Sequence, residues 1–230
     1  MVLTGHAQSI ESPNRQLNLT FHVDNGIPYY SLLYKGKIII EKSRLGFEMK
    51  NIPSMVDNFS ILKSSTSAFD ETWEPVWGEV KKIRNQYNEL EITLEQGSPK
   101  RTVIIRFRLY DDGLGFRYEF PNQKNLSYFT IAEEITQFNL GKDYTAFWIR
   151  GDYDTNEYNY TTSLLSEVSH QIDAATEEIS AQTPTKEISV QTPLMLKGNG
   201  VYINIHEAAL KDYPAMLLEL DSTGVILSTH

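Results

Sequence analysis

Strict alternation of apolar and polar residues is the feature that most constrains the fold of this chain. Between Leu17 and Val23 every second residue is apolar, which is the pattern of a strand with one buried face. The clearest hairpin joins alternating segments at 103–109 and 116–120 through the turn 111–113, whose Asp-Asp-Gly sequence is typical of a tight reversal. Helical periodicity is scarce. The sequence therefore predicts an all-β fold of two antiparallel sheets with roughly a dozen strands.

Length and composition are those of a globular protein with a core. The chain has 230 residues, of which 40% are hydrophobic and 22% charged, and it contains no cysteine for a disulfide framework or a thiolate nucleophile. We expect residues 9–230 to form a single β-sandwich domain with one long loop around 152–191. Gly5 and Ala7 have the spacing of a signal-peptidase site, so residues 1–8 are predicted to be the residual tail of a signal peptide or a frayed terminus.

Charge and motif content exclude several classes of function. The net charge is -9 and the pI is near 5.1, with no clustered Lys and Arg, which argues against a surface that binds nucleic-acid phosphates. No run of eighteen apolar residues is present, so no membrane span is predicted. Glycine-rich phosphate loops, zinc-ligand spacings and the serine-hydrolase elbow are also missing from the sequence, and these activities are unsupported.

Glu207 follows a segment in which residues 201, 203 and 205 are apolar and share one strand face. By the same alternation the Glu207 carboxylate falls on that apolar side. An ionised carboxylate that leaves water without a partner costs several kcal/mol. Either the strand ends before Glu207 and the side chain is solvated, or the carboxylate is neutral, paired or bound to a cation.

Two segments combine aromatic rings with carboxylates. Residues 73–79 (Trp-Glu-Pro-Val-Trp-Gly-Glu) have a proline and a glycine that disfavour regular structure, and they predict either a sugar platform or a loop pinned by its indoles. Residues 148–154 (Trp-Ile-Arg-Gly-Asp-Tyr-Asp) have a similar character, with a structural salt bridge as the alternative. Asp111 and Asp112 resemble an acid–base pair, but Gly113 and the flanking strands favour a hairpin turn.

The chain resembles family 97 glycoside hydrolases over nearly its whole length. The motifs that carry the resemblance are Ser12-Pro13, residues 73–79, 84–89, 110–120 and 151–154, Glu157-Tyr158, Thr192-Pro193-Leu194, residues 206–210 and residues 212–214. Their order and spacing also match the family. A duplicated stretch, in which residues 178–184 are echoed by 187–193, departs from the family pattern.

The resemblance implies the amino-terminal domain of an exo-acting α-glycosidase. In that family a galactose mutarotase-like β-super-sandwich precedes a (β/α)8 barrel, and the barrel supplies the acid and the base or nucleophile. No catalytic residue is therefore expected in this chain, and Glu207 looks like the glutamate that this domain lends to a calcium ion. The implied sugar-binding residues are Trp73, Glu74, Trp77, Asp152, Tyr153, Glu157 and His206.

The implied partners are an α-linked glucoside or galactoside oligosaccharide and the downstream barrel of the same polypeptide, in a periplasmic or secreted bacterial protein. Two other hypotheses stay open. The sandwich could be a carbohydrate-binding module that binds glycan through Trp73, Trp77 or Trp148. It could also be a free-standing mutarotase-like epimerase, with His206 and a nearby carboxylate as acid and base.

Overall fold

The computed structural model describes residues 7–172, 188–211 and 213–229, and these are built mainly of strands. The chain divides into two compact units, one up to Ala132 and one from Glu133. Every strand pair for which a register is given is antiparallel, as the alternation predicts. The described residues contain more strands than the dozen expected, because strands of three or four residues hold too few alternations to be recognised in a sequence. None of their helices is long and apolar enough to cross a membrane.

The first unit consists of two four-stranded sheets and a two-stranded one. Its elements are β1 (Gln8–Glu11), β2 (Leu17–Asp24), β3 (Ile27–Tyr34), β4 (Lys37–Arg44), β5 (Phe47–Met49), β6 (Phe59–Trp73), β7 (Ile83–Gln96), β8 (Arg101–Leu109), β9 (Leu114–Glu119), a 3-10 turn (Lys124–Leu126) and β10 (Ile131–Glu134). The sheet orders are β1-β2-β3-β4, β6-β7-β8-β9 and β5-β10.

The core of this unit is formed by the alternating residues that the sequence singled out. Leu19 and Phe21 of β2 are fully buried, and the Phe21 ring lies 6.0 Å from the ring of Phe107 in β8. Tyr30 of β3 packs against the same ring at 6.2 Å and against Phe116 of β9 at 5.7 Å. Two sheets therefore pack face to face through aromatic side chains, which is the sandwich arrangement.

The turn between β8 and β9 is a hairpin, as predicted. The Tyr110 amide donates to the Gly113 carbonyl at 2.8 Å. The Asp111 carboxylate accepts the backbone N–H of Asn14 at 2.8 Å, so this carboxylate pins a neighbouring loop. Asp111 is a structural residue, and the geometry gives no acid–base pair at this turn.

The second unit also contains two four-stranded sheets. Its strands are β11 (Gln137–Asn139), β12 (Thr145–Trp148), β13 (Thr161–Leu164), β14 (Ser189–Gln191), β15 (Leu194–Gly198), β16 (Val201–Ile205), β17 (Leu217–Leu220) and β18 (Ile226–Thr229). A 3-10 turn (Leu165–Glu167) leads into helical residues 168–172. The sheet orders are β13-β12-β15-β16 and β11-β18-β17-β14.

The prediction of one long loop around 152–191 is corrected by β13 and β14, which lie within it. β13 has the sequence Thr-Thr-Ser-Leu, and its buried position is the polar Ser163. A hydroxyl can be buried there because Ser163 Oγ accepts the indole N–H of Trp148 at 3.1 Å. Apolar alternation therefore gives no signal for this strand. The first copy of the duplicated stretch lies outside the described residues, and the single-domain prediction for 9–230 stays a prediction.

Candidate functional site

Glu207 lies two residues beyond the end of β16, on the face that the alternation assigns to it. Ile205 is buried and Glu207 is half-buried, whereas His206 between them is exposed. Oε2 of Glu207 accepts the Thr192 hydroxyl at 2.9 Å, and Oε1 accepts the backbone N–H of Met216. The carboxylate is thus paired by neutral donors, which answers the question that the alternation raised about an unpartnered charge.

The carboxylate of Glu207 still has acceptor capacity. A carboxylate offers about four lone-pair positions, and one bond to each oxygen leaves about two of them for a further ligand. A calcium ion takes six to eight oxygens. No group of three or more His, Asp or Glu side chains that could hold a metal ion occurs among the described residues. The described residues could therefore supply only a minority of the ligands that a calcium ion needs.

The segment from Arg150 to Tyr158 is tied together by its own side chains. The Tyr158 hydroxyl donates to Oδ2 of Asp152 and accepts from the Arg150 guanidinium at 2.6 Å. The guanidinium also lies over the Tyr158 ring, 4.4 Å from its centre. The Tyr158 hydrogen bond, followed by the backbone N–H of Asp154, holds the pKa of the Asp152 carboxyl below its ordinary value. Asp152 is therefore an ionised residue that shapes the loop.

Residues Gln191 and Thr192 connect this loop to Glu207. The Gln191 side-chain amide donates to the carbonyls of Arg150 at 3.1 Å and Thr155 at 2.8 Å. The next residue, Thr192, donates to the Glu207 carboxylate. Because adjacent residues hold the two segments, the structure brings the Asp152 loop and Glu207 to the same end of the second unit.

The other predicted sugar-binding residues of this unit are at its surface. Tyr153 is 76% exposed, and Glu157 and His206 are exposed as well. The backbone N–H of Glu157 donates to the Thr155 hydroxyl at 3.1 Å, which ties this residue to the loop. Nδ1 of His206 lies 3.0 Å from the Glu207 carbonyl oxygen. Tyr153 and Glu157 extend from the loop that Asp152 fixes.

Trp73, Glu74 and Trp77 form a separate group in the first unit. Trp73 ends β6, and Glu74 and Trp77 follow in the connection to β7. Trp73 is 46% exposed and Trp77 is 87% exposed, as a sugar platform requires. Trp148 is 5% exposed and its N–H is bonded to Ser163, so the prediction that Trp148 could stack on a glycan is wrong.

The sequence alone missed the partners that orient these groups. Thr192 and Met216 hold Glu207, and Gln191 holds the loop. Thr192 lies in a motif of the family resemblance, which marked its position but gave no role. The Met216 contact is made by a backbone N–H, so no residue type at that position could have indicated it.

Solved structures share this fold. A family 97 glycoside hydrolase from Pseudoalteromonas sp. strain K8, in complex with acarbose, superimposes with a TM-score of 0.84 at 31% sequence identity, over 97% of this chain and 31% of that one. A variant of that enzyme in complex with panose gives the same values. A beta-arabinopyranosidase matches with a TM-score of 0.79 and 22% identity over 97% of this chain and 35% of its own, which shows the fold alone. The chain is thus an all-β antiparallel sandwich, as predicted.

The family is established by the sequence itself. The family described as Glycosyl-hydrolase 97 N-terminal matches residues 10–229. The chain therefore belongs to the amino-terminal domain family of glycoside hydrolase family 97 and spans about a third of the length of the enzymes it matches, since it covers 31% of the Pseudoalteromonas chain.

Proposed function

We propose that this chain is the accessory domain of a calcium-dependent exo-acting α-glycosidase. In this proposal Glu207 is a calcium ligand, and the segment from Asp152 to Glu157 forms part of the wall around a terminal α-linked glucose or galactose. The rest of the calcium site and the catalytic carboxylates belong to a barrel in the same polypeptide. A periplasmic or secreted bacterial location is part of the proposal.

The observation that carries the proposal is the pairing of Glu207. Its carboxylate is half-buried at a strand end and is held by a hydroxyl and a backbone N–H, and no basic side chain of the described residues forms an ion pair with it. Neutral donors fix the orientation of a carboxylate but leave its negative charge uncompensated, and a hard divalent cation provides that compensation. An Arg or Lys partner would have made a structural ion pair the better explanation.

The residues of the proposed sugar-binding wall have distinct roles. Asp152 accepts bonds from the Tyr158 hydroxyl and from the backbone N–H groups of Asp154 and Thr155, which fixes the loop. The exposed Tyr153 ring can stack on a sugar face, and the Glu157 carboxylate can accept sugar hydroxyls. Bound calcium would supply Lewis-acid polarisation of a substrate oxygen. The relatives crystallised with acarbose and panose support an α-linked oligosaccharide as the substrate class.

The test is Glu207→Gln in the full-length enzyme, with hydrolysis of an aryl α-glycoside titrated against free calcium. The amide keeps the shape and can retain the Met216 bond, but it removes the charge. We expect the calcium requirement to rise by about tenfold or more, as for a lost strong ligand, and excess calcium to restore part of the activity. Glu133→Gln, at an exposed glutamate of β10, is the matched control and should leave the titration unchanged. Superimposable curves for Glu207→Gln and wild type would refute the assignment.

The binding-module hypothesis has one observation in its favour, the exposure of Trp73 and Trp77. If the domain binds glycan by itself, calorimetry of this chain with an α-linked oligosaccharide should give saturable binding without calcium. Trp77→Ala should then remove it, and Tyr128→Ala, at an equally exposed ring, should not. Heats that do not saturate would exclude an autonomous module.

A further inference from the structure

The hairpin of β6 and β7 extends beyond its own sheet. The two strands pair continuously from Phe59↔Gln96 to Trp73↔Ile83, apart from one bulge near Ile61. β8 pairs with β7 only from Asn88 to Gln96, and β6 is an edge strand. Residues 69–87 therefore form a two-stranded arm, and no third strand of the described chain covers it. A two-stranded ribbon is marginally stable in water by itself.

One face of the arm carries apolar cross-strand pairs on either side of the polar pair Glu71↔Asn85. The cross-strand pairs Phe69↔Tyr87 and Trp73↔Ile83 lie on the same face, since they are separated by an even number of residues. The Phe69 and Tyr87 rings stack with their centres 5.2 Å apart. The opposite face is polar and carries the Asp70–Arg84 salt bridge, whose atoms approach to 2.6 Å. The face with Phe69, Trp73 and Ile83 is therefore the more apolar of the two, and a second layer usually covers such a face.

Tyr87 is buried, but the other large apolar side chains of the arm are left exposed by the residues that the structure describes. The exposed large hydrophobic residues of the arm, with their exposed fractions, are Phe69 (38%), Trp73 (46%), Val76 (100%), Trp77 (87%), Val80 (57%) and Ile83 (37%). Six such side chains on one arm expose on the order of several hundred Å² of apolar surface. Apolar surface of that extent, exposed on one arm, is typical of a protein contact.

We propose that this arm, residues 69–87, docks through its exposed apolar residues against the part of the full-length enzyme that lies outside this domain. The proposal rests on the proposed function, because it requires the domain to be one part of a longer glycosidase. The similar Pseudoalteromonas enzyme supports that requirement, since this chain covers 31% of its length. The arm thereby becomes an anchor that fixes the domain, with Glu207, against the remainder of the protein.

The same polypeptide is a better occupant than a second copy or a sugar. A stable dimer buries about 800 Å² on each partner, which is more than a narrow arm offers, whereas a covalently linked partner is present at an effective concentration of order millimolar and needs less area. A sugar stacks on flat rings, which would account for Trp73 and Trp77. It would not account for the aliphatic Val76, Val80 and Ile83 beside them.

The test measures thiol accessibility in the full-length enzyme. This chain has no cysteine, so Val76→Cys and Val80→Cys place single reporters in it, and Asp112→Cys places a control in the polar β8–β9 turn. Each variant is reacted with a maleimide under native conditions and in urea, and the labelled peptide is quantified by mass spectrometry. We expect native labelling at positions 76 and 80 to be slowed by about tenfold or more relative to urea, and labelling at position 112 to be nearly unaffected.

Three outcomes would overturn the proposal. Labelling at 76 and 80 as fast as at 112 would mean that the arm is free. Protection that disappears on dilution would indicate a second copy of the chain. Protection that appears only with an added α-linked oligosaccharide would indicate a sugar platform. Repeating the labelling in the Glu207→Gln background separates this proposal from the calcium role, because the arm should stay protected when the calcium titration shifts.

Discussion

A cluster of ion pairs lies on the outer face of the β6-β7-β8-β9 sheet. It allows the contribution of a buried ion pair to stability to be compared with that of an exposed one. The cluster consists of Glu89 and Glu91 of β7, Arg106 and Arg108 of β8, and Arg117 and Glu119 of β9. Glu89 is its least accessible member, at 8% exposure. The perturbation is Glu89→Gln, which removes the charge and keeps the size of the side chain.

The expected loss in the free energy of unfolding follows from the interactions that each arginine keeps in the Glu89→Gln variant. Glu89 accepts Arg106 at 2.5 Å and Arg108 at 2.7 Å. Arg106 would keep Glu91 at 2.8 Å and Glu119 at 2.9 Å. Arg108 would keep its stacking on the Tyr87 ring, 4.4 Å from the ring centre. Breaking a fully buried pair costs about 3–5 kcal/mol, and partial exposure of the arginines reduces our expectation to about 1–3 kcal/mol.

Asp70→Asn is the matched control. It makes the same carboxylate-to-amide change beside an arginine, but the Asp70 and Arg84 side chains are 50% and 60% exposed. Water screens an exposed pair of this kind, so we expect a smaller loss of stability than for Glu89→Gln. Urea unfolding of the wild-type chain and both variants at pH 7, with m-values compared, gives the two free-energy differences. Equal losses for Glu89→Gln and Asp70→Asn would refute the reasoning from burial.

The pH dependence has a defined sign. Burial raises the pKa of Glu89, but the hydrogen bonds from Arg108 and Arg106 outweigh it and hold this pKa below its ordinary value. A lowered folded-state pKa gives stabilisation that is complete above the unfolded pKa, about 4.3, and is lost as the pH falls through the folded value. The difference between wild type and Glu89→Gln should therefore be constant near neutral pH and shrink below about pH 4.3.

Two further predictions concern packing. Gly26 and Gly36 both have positive φ in hairpin turns, but a Cβ on Gly26 would lie 2.8 Å from the Asn58 backbone nitrogen, whereas nothing lies within 4 Å of one on Gly36. In urea unfolding, Gly26→Ala should cost about 2–4 kcal/mol and Gly36→Ala about 1 kcal/mol, and equal costs would show that the close approach is not limiting. Ser163→Ala should cost about 1–3 kcal/mol by leaving the buried Trp148 N–H unpaired, and thermal unfolding of the neighbouring exposed Thr162→Ala should show little change. Similar melting temperatures for these two variants would contradict the role given to the indole bond.

Alternation predicted the parts of this fold in which one face of a strand is apolar. Leu19 and Phe21 are buried as predicted, and Glu207 lies on the inner side with Ile205 while His206 is exposed. The hydrogen bonds that orient Glu207 come from Thr192 and Met216, fifteen and nine residues away. Contacts between residues so far apart in the sequence depend on how the connections between strands place them in space. A pattern read over a few neighbouring residues contains no information about those connections.

Apolar alternation is weak where polar residues form strands. β13 is mainly hydroxyl residues, and residues 64–67 of β6 are Ser-Ser-Thr-Ser, so neither shows apolar alternation. The segment 73–79 was expected to be an irregular loop, and Trp73 is instead the last residue of β6. Trp73 pairs with Ile83 of β7, so the hairpin continues to this residue. The pairing register is set by the neighbouring strand and not by the composition of the segment itself.

The outer face of the β6-β7-β8-β9 sheet has two parts. In one part the side chains pair with one another within the domain, and in the other apolar side chains are left exposed. Glu89 and Tyr87 are successive residues on that face of β7, and Arg108 contacts both, pairing with the carboxylate and stacking on the ring. On one side of Arg108 the ion pairs satisfy one another, so the charged surface needs no further layer. On the other side, the face carries the exposed Phe69, Trp73 and Ile83 beside the polar Glu71↔Asn85 pair, and apolar side chains are stabilised only by removal from water. The change from charge to apolar surface at Tyr87 therefore marks where contact with the rest of the enzyme is expected to begin.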